Sequence, residues 1–90
     1  IAVTAVNDIF TLDHWLKDSG ADAKIDGLAD GSAVFVKAAG LDLDLTEFGL
    51  GVRGKRFSAI VNDGVVDWIN VEENSSVATV SSAETTLEKL

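Results

Sequence analysis

The chain has 90 residues, of which 47% are hydrophobic and 24% are charged, a composition typical of one small globular domain and not of a disordered segment. Fifteen acidic residues against seven Lys and Arg give a net charge of −8, and such a field repels nucleic acid and anionic lipid. The absence of cysteine excludes disulfides, thiolate metal sites and thiol chemistry carried by these residues alone. No apolar run approaches the roughly 20 residues of a membrane-spanning helix. We therefore expect neither a membrane nor a nucleic acid as a partner.

The first residues of the sequence predict a strand. Ile1–Val6 is rich in small and β-branched residues, as buried strands are, and neither a Met nor a polar segment precedes it. We therefore expect residue 1 to be an internal position of a longer protein, and residues 1–90 to be the C-terminal part of a single domain.

Helix and strand signals then alternate along the chain. Asn7 and Asp8 are helix-capping residues, and the helix that they predict ends at Gly20. The apolar positions on one face of this helix are Ile9, Leu12, Trp15 and Leu16. A short strand is predicted within Lys24–Ala29, after which Asp30–Ser32 offers capping oxygens for a second helix.

The second helix contains Val34–Val36 and is predicted to end at Gly40. Leu41–Leu45 alternates apolar and acidic residues, which fits a half-exposed strand or an extended loop; because it has only five residues, we interpret it as a loop. Gly49–Gly54 is rich in glycine and is also predicted to be a flexible loop.

A β-hairpin follows the glycine-rich stretch. Its strands are predicted at Lys55–Val61 and Val65–Val71, and Asn62–Gly64 supplies the residues of a tight turn with positive φ. Glu72–Ser76 is a polar loop, and Val77–Val80 is predicted to be a short extended piece.

The last element is a helix. Ser81 and Glu84 have the spacing of a capping box, which predicts a helix that runs to Leu90. The predicted order is therefore βαβα, then a hairpin, then a C-terminal helix. This order indicates an α/β fold with a mixed sheet and flanking helices.

A glycine motif lies at Gly49, Gly51 and Gly54, which match the pattern G-x-G-x-x-G. In dinucleotide-binding proteins this pattern follows a strand and opens a helix, whereas here it precedes a strand. We therefore interpret the glycines as loop residues, and we expect no cofactor.

Basic residues cluster at Arg53, Lys55 and Arg56, which are three of the seven in the chain. A guanidinium fixed at the start of a strand donates hydrogen bonds to an anion and favours the ionised form of a nearby thiol. Arg56 is the stronger candidate because it lies nearest the strand. The alternative is a solvated basic patch paired with carboxylates of the chain. Those carboxylates are Asp42, Asp44 and Glu47.

The single histidine, His14, lies between Asp13 and Trp15 on the first predicted helix. Because the chain has no second histidine and no cysteine, we interpret His14 as a surface residue, and we predict no metal site.

Seven segments in chain order resemble the C-terminal part of a type II peroxiredoxin, also called the Prx5 class of thiol peroxidases. These segments are Val6–Asp8, Leu28–Ser32, Gly40–Leu45, Gly49–Ser58, Asp63–Val66, Asn70–Glu73 and Ser81–Glu84. The resemblance implies a thioredoxin-like fold. It also implies reduction of hydrogen peroxide and alkyl hydroperoxides by a cysteine that becomes a sulfenic acid and is regenerated by thioredoxin or glutaredoxin.

The family motif Pro-x-x-x-Thr-x-x-Cys lies upstream of these segments, and the chain has neither Pro nor Cys. Arg56 is similar to the active-site arginine of the family, which contacts the thiolate and the peroxide. Leu45 and Phe48 resemble the apolar wall beside the substrate pocket and the dimer contact, which implies a homodimer. Arg53 is expected to support the glycine-rich loop or to pair with a carboxylate.

Two hypotheses remain open at this point. The first is an enzyme: the chain is part of a thiol peroxidase whose cysteine lies upstream, and alone it is inactive. The second is a noncatalytic, truncated peroxiredoxin-like interaction module, which the absence of cysteine favours. We expect a cytoplasmic location, with an organelle as the alternative.

Overall fold

The computed structural model describes residues 1–74 and 76–90, which form two compact units, Ile1–Gly54 and Lys55–Leu90. The first unit contains β1 (Ala2–Ala5), α1 (Ile9–Asp18), β2 (Asp26–Ala29), α2 (Val34–Ala38), β3 (Asp42–Leu45), a 3-10 turn (Thr46–Phe48) and β4 (Gly51–Gly54). The second unit contains β5 (Phe57–Asn62), β6 (Val65–Val71) and α3 (Ala83–Leu87). None of the helices in the described part of the chain has the length and apolar character needed to cross a bilayer.

The first unit starts with a parallel β1–β2 pair connected through α1. The predicted cap is confirmed, because the Asp8 carboxylate accepts a hydrogen bond from the Thr11 amide at 2.8 Å. Leu12 and Leu16 are buried, as predicted. Gly27 of β2 allows this packing, because a Cβ atom there would lie 2.8 Å from Leu16 Cδ1.

The apolar face of α1 is narrower than the sequence predicts. Ile9 and Trp15 are 64% and 52% exposed, although they were expected on the same face as the two buried leucines. Leu12 and Leu16 are four residues apart and therefore lie one above the other on the helix. Of the four apolar positions that the sequence predicts to be on one face, these two are the buried ones.

The second helix, α2, is also confirmed. Both oxygens of the Asp30 carboxylate accept from main-chain amides, those of Phe35 and Val36, each at 3.1 Å. Val36 is 2% exposed and lies in the core of the first unit. The helix ends before Gly40, whose φ of 70° is one that L residues rarely adopt.

Two predicted loops are wrong, because they form an antiparallel pair of strands. Within Leu41–Leu45 the last four residues form β3, and within Gly49–Gly54 the last four form β4. The alternation of leucine and aspartate is thus that of a half-exposed strand, with Leu43 and Leu45 half-buried. The short turn after β3 reverses the chain, so that β4 becomes the partner strand of β3. This partner is not visible when Leu41–Leu45 is considered alone.

The β-hairpin of the second unit is confirmed. Strands β5 and β6 are antiparallel, with their register running from Phe57 opposite Val71 to Asn62 opposite Val65. The turn residues Asp63 and Gly64 have φ values of 52° and 77°, as a tight hairpin turn requires.

The region after β6 differs from the prediction at three points. The proposed extended piece Val77–Val80 forms no strand. Helix α3 is capped by Ser82, whose hydroxyl accepts from the Thr85 amide at 3.2 Å, and not by Ser81. The helix ends at Leu87 and does not reach the last residue of the chain. Ser75, part of the predicted polar loop, lies outside the described residues.

The predicted α/β class and order of elements are confirmed, with the β3–β4 pair in addition. The described strands form three separate two-stranded sheets, β1 with β2 in parallel and the other two pairs antiparallel, so the predicted single mixed sheet is not formed among the described residues. Among the described residues, the buried apolar side chains lie in the first unit, at Val6, Leu12, Leu16, Ala33, Val36 and Leu41.

Candidate functional site

Arg56 lies directly before β5, where the sequence analysis placed the strongest candidate. Its side chain is exposed, and its carbonyl oxygen accepts a hydrogen bond from the Glu72 amide at 2.8 Å. This bond lies one residue beyond the pairing of Phe57 with Val71, so it extends the hairpin ladder to Arg56. The backbone that carries the guanidinium is therefore held at the base of the hairpin.

Glu72 is buried, with 5% of its surface exposed, and its carboxylate accepts four hydrogen bonds. The donors are the amide and hydroxyl of Thr79, at 2.7 and 2.9 Å, and the amide and hydroxyl of Ser81, at 2.8 and 2.6 Å. These hydrogen bonds, above all the one from the Ser81 hydroxyl, lower the pKa of Glu72 to about 2, although burial opposes ionisation. We call this arrangement of Glu72, Thr79 and Ser81 the carboxylate clamp.

The start of α3 is tied both to the carboxylate clamp and to β5. The Thr85 hydroxyl donates to the Thr79 carbonyl at 2.9 Å, and the Thr86 hydroxyl donates to the Ser58 hydroxyl at 2.7 Å. Ser58 lies two residues after Arg56. Polar contacts thus hold the chain at the carbonyl of Arg56 and two residues after it.

Leu45 and Phe48 lie at the turn between β3 and β4, in the first unit, whereas Arg56 belongs to the second. Leu45 is the last residue of β3 and is half-buried opposite Gly51. Phe48 ends the 3-10 turn and is 74% exposed. Gly49 follows with a φ of 74°, which turns the chain toward β4.

The other basic and titratable candidates take structural or surface positions. The Arg53 guanidinium donates to the side-chain oxygen of Asn7 at 2.7 Å, so Arg53 supports the loop between β1 and α1 and not the glycine-rich stretch in which it lies, and its partner in this bond is an amide and not a carboxylate. Lys55 and His14 are exposed. Within residues 1–74 and 76–90, no group of three or more His, Cys, Asp and Glu residues is placed to hold a metal ion.

The G-x-G-x-x-G pattern does not open a helix. Its last four residues form β4, and the next element is strand β5, so the predicted context of the motif, a strand and not a helix after it, is confirmed.

A surface pocket of about 480 Å³ lies between α1 and β2, and it contains none of the predicted site residues. Its lining residues are Ile9, Phe10, Leu12, Asp13, Leu16, Asp22, Ile25, Asp26, Gly27 and Ala29. These side chains are apolar or acidic, and none is a guanidinium, a thiol or a histidine. The pocket therefore adds no residue of the predicted chemistry, and Arg56 stays a prediction.

Sequence reasoning missed the role of Glu72. It belongs to a segment that carries the family resemblance, but an acidic residue after a strand is ordinarily a solvent-exposed loop residue. The available signal was the pair of hydroxyl residues Thr79 and Ser81, both of which can donate from side chain and main chain to one carboxylate.

Comparison with known proteins adds to this geometry. A family model described as Redoxin matches residues 1–87. The chain is 41% identical over 92 residues to peroxiredoxin-2E, chloroplastic, of Arabidopsis thaliana, covering 100% of the chain and 39% of that protein. It is 39% identical over 90 residues to peroxiredoxin-2C of Oryza sativa subsp. japonica, covering 100% of the chain and 55% of that protein.

Comparison with solved structures also finds a similar protein. Reduced Prx3 of Vibrio vulnificus in complex with H2O2 is 44% identical with a TM-score of 0.90, over 99% of this chain and 53% of that one. The match confirms the predicted, partial thioredoxin-like fold. The chain spans between 39% and 55% of the length of these three relatives.

Proposed function

Because this chain belongs to the Redoxin family and has type II peroxiredoxins as relatives, we propose that it forms the C-terminal part of a thiol-dependent peroxidase domain. The proposed enzyme reduces hydrogen peroxide and alkyl hydroperoxides, and its nucleophile is a cysteine upstream of residue 1. One observation carries the proposal: Arg56 lies directly before β5, and its carbonyl is held by the Glu72 amide at 2.8 Å.

The chemical role that we assign to Arg56 follows from its charge. In the proposed step the cysteine thiolate attacks one peroxide oxygen; the S–O bond forms, the O–O bond breaks, and the other oxygen leaves as water or an alcohol after taking a proton. The guanidinium lowers the pKa of the thiol because it stabilises the thiolate. It also donates to the oxygens on which negative charge grows, which for preorganised donors is worth about 3 kcal/mol.

We assign Leu45 and Phe48 to the apolar wall beside the peroxide and to a homodimer contact. Their position at the turn between β3 and β4 supports this assignment, as does the 74% exposure of Phe48, which leaves the ring accessible to a ligand or a second copy. Thioredoxin or glutaredoxin is the proposed reductant, and the cytoplasm is the proposed compartment. Relatives named chloroplastic and mitochondrial make an organelle the alternative compartment.

A second candidate function is a noncatalytic interaction module. The observation that favours it is the absence of cysteine from a chain that spans about half of its relatives. On this alternative, the residues around Arg56 have no thiolate to stabilise. An in-frame Pro-x-x-x-Thr-x-x-Cys motif upstream in the coding sequence would count against it.

A hybrid enzyme tests both functions. It joins the segment of the V. vulnificus relative that precedes the matched region, and that carries the cysteine by the family pattern, to residues 1–90. We expect the hybrid to turn over peroxide with dithiothreitol, whereas the 90-residue chain alone does not. An inactive but folded hybrid would support the interaction module.

Substitutions in the hybrid then test Arg56. We expect Arg56→Ala to reduce kcat/KM for peroxide about 100-fold, since about 3 kcal/mol of charge stabilisation is lost. Arg56→Lys is also expected to lose activity, because an ammonium cannot replace the two-pronged hydrogen bonding of a guanidinium. The matched control is Lys55→Ala, which removes the same charge one residue away. Equal activity of the Arg56 and Lys55 variants would remove Arg56 from the mechanism.

A further inference from the structure

The carboxylate clamp has an unusual position for a charged group. Glu72 is the buried side chain in the described part of a unit whose apolar residues are half-buried or exposed. A buried carboxylate is costly unless its oxygens are satisfied by hydrogen bonds. Here one oxygen accepts three hydrogen bonds and the other accepts one, so the side chain is fixed in a single orientation.

The main chain of the same residue holds Arg56. The Glu72 amide donates to the Arg56 carbonyl at 2.8 Å, beyond the last strand pair of the hairpin. Strand ends open readily, because few contacts oppose the loss of the outermost hydrogen bond. Anchoring of the Glu72 side chain by Thr79 and Ser81 prevents its amide from moving away, and so keeps this outermost bond closed.

Helix α3 forms hydrogen bonds both with the carboxylate clamp and with β5. Its Thr85 and Thr86 hydroxyls donate to the Thr79 carbonyl and the Ser58 hydroxyl, at 2.9 and 2.7 Å. The segment that supplies donors to Glu72 is thus itself fixed to α3, and α3 is fixed to β5 just after Arg56.

We infer that Glu72 is a positioning residue of the peroxidase site, which holds the Arg56 backbone through its own amide while its carboxylate is clamped by Thr79 and Ser81. The inference rests on the function proposed above, because it gives Glu72 its role through Arg56. A guanidinium stabilises a developing charge fully only when its backbone is held in place before the reaction. Glu72 contributes this preorganisation and does not itself contact the substrate.

Three roles of Glu72 make different predictions for the pKa of the cysteine thiol in the hybrid enzyme. If Glu72 positions Arg56, Glu72→Ala raises the thiol pKa, because the guanidinium is less well placed. If the carboxylate acts directly through its charge, its removal lowers the thiol pKa. If Glu72 only stabilises the fold, the thiol pKa of the folded variant does not change.

The first arm of the experiment uses the 90-residue chain and does not depend on peroxidase activity. Amide hydrogen exchange is measured at position 72, whose amide donates to Arg56. We expect Glu72→Ala to reduce protection at this amide at least about tenfold. The matched control is Glu73→Ala, an exposed neighbour of the same charge, which is expected to leave the protection unchanged. Equal protection in the two variants would overturn the clamp.

The second arm measures the thiol pKa in the hybrid. We expect Glu72→Ala to raise it by about one unit, and to have no effect when Arg56 is already replaced by alanine. If Arg56→Ala raises the thiol pKa and Glu72→Ala does not, the inference fails while the proposed function stands. If neither variant changes the thiol pKa, the role assigned to Arg56 fails, and with it the inference. A folded hybrid without peroxidase activity is the outcome that counts against the proposed function itself.

A milder variant keeps the test valid if Glu72→Ala does not fold. Ser81→Ala removes the donor at 2.6 Å and leaves the other three hydrogen bonds of the carboxylate. We expect it to change the exchange at position 72 and the thiol pKa in the same directions, by smaller amounts. A folded Ser81→Ala variant with neither change would overturn the inference.

Discussion

The unit Ile1–Gly54 buries six apolar side chains, whereas among the described residues of Lys55–Leu90 the buried side chain is a glutamate. In the first unit, helix α1 packs Leu12 and Leu16 toward β2, so the hydrophobic effect supplies most of the stabilisation. In the second unit, four hydrogen bonds to one carboxylate hold the segment that follows the hairpin.

The hairpin of the second unit keeps much of its apolar surface exposed. Val61, Val65 and Val66 are 60%, 62% and 54% exposed, so they gain little from burial in this chain. Stability there depends on directional hydrogen bonds, which fix positions more narrowly than apolar contacts do. The comparison indicates that burial of apolar side chains stabilises the first unit, whereas hydrogen bonds fix the position of the backbone near Arg56 in the second.

Each unit carries its own fluorophore, which allows the two to be followed separately. Trp15 lies in α1 and Trp68 lies in β6, and the chain has two tryptophans in all. A Trp68→Phe background reports on the first unit, and a Trp15→Phe background reports on the second. The predictions below use these two backgrounds.

The largest effect is expected in the core of the first unit. Leu16→Ala should lower the free energy of unfolding by about 3 kcal/mol, because it removes a buried side chain and leaves a cavity. Urea unfolding followed by Trp15 fluorescence measures the loss. The control is Ile9→Ala on the same helix, which is 64% exposed and is expected to cost less than about 0.5 kcal/mol. Equal losses would contradict the division between buried and exposed faces.

The second largest effect is expected at low pH, where the second unit loses stability. The pKa of Glu72 is about 2 in the folded chain against an ordinary value of 4.5. The ionised carboxylate therefore stabilises the fold fully above about pH 4.5, and this contribution is lost as the pH falls toward 2. Trp68 fluorescence during urea unfolding at several pH values measures it. Glu72→Gln should flatten the pH dependence and Glu73→Gln should not; the same slope in both variants would refute the assignment.

A smaller effect is expected at the Arg53 contact of the first unit. Asn7→Ala removes the oxygen that accepts from the guanidinium at 2.7 Å, which should cost about 1.5 kcal/mol. Asn7→Asp keeps an acceptor in place and should retain most of the stability. The two variants are compared by urea unfolding with Trp15 fluorescence, and a larger loss in the aspartate variant would argue against this hydrogen bond.

The smallest effect is expected at the cap of α3. Ser82→Ala should reduce the stability of the second unit by about 1 kcal/mol, because the Thr85 amide loses its acceptor. Ser82→Asp, which preserves a capping oxygen, is the control, and Trp68 fluorescence is the readout. Equal losses in the alanine and aspartate variants would show that the Ser82 side chain does not cap the helix.

The sequence predicted those elements whose signals are local. Asp8 caps α1 through the next turn of the same helix, and Asp63-Gly64 determines the hairpin turn through its own φ values. The sequence did not predict β4, because glycines are depleted in strands and because its partner strand β3 is too short to be recognised alone. The burial of Glu72 was equally hidden, because its donors are seven and nine residues away in a segment without regular structure.

Titration of the cysteine thiol in the hybrid enzyme tests the central claim most directly, which is that Arg56 holds that thiol in its ionised form. Thiolate absorbance is followed against pH in the unsubstituted hybrid and in its Arg56→Ala and Lys55→Ala variants. We predict that Arg56→Ala raises the thiol pKa by about two units, toward the ordinary value of about 8.5, and that Lys55→Ala changes it far less. Coincident titration curves for the two variants would contradict the account.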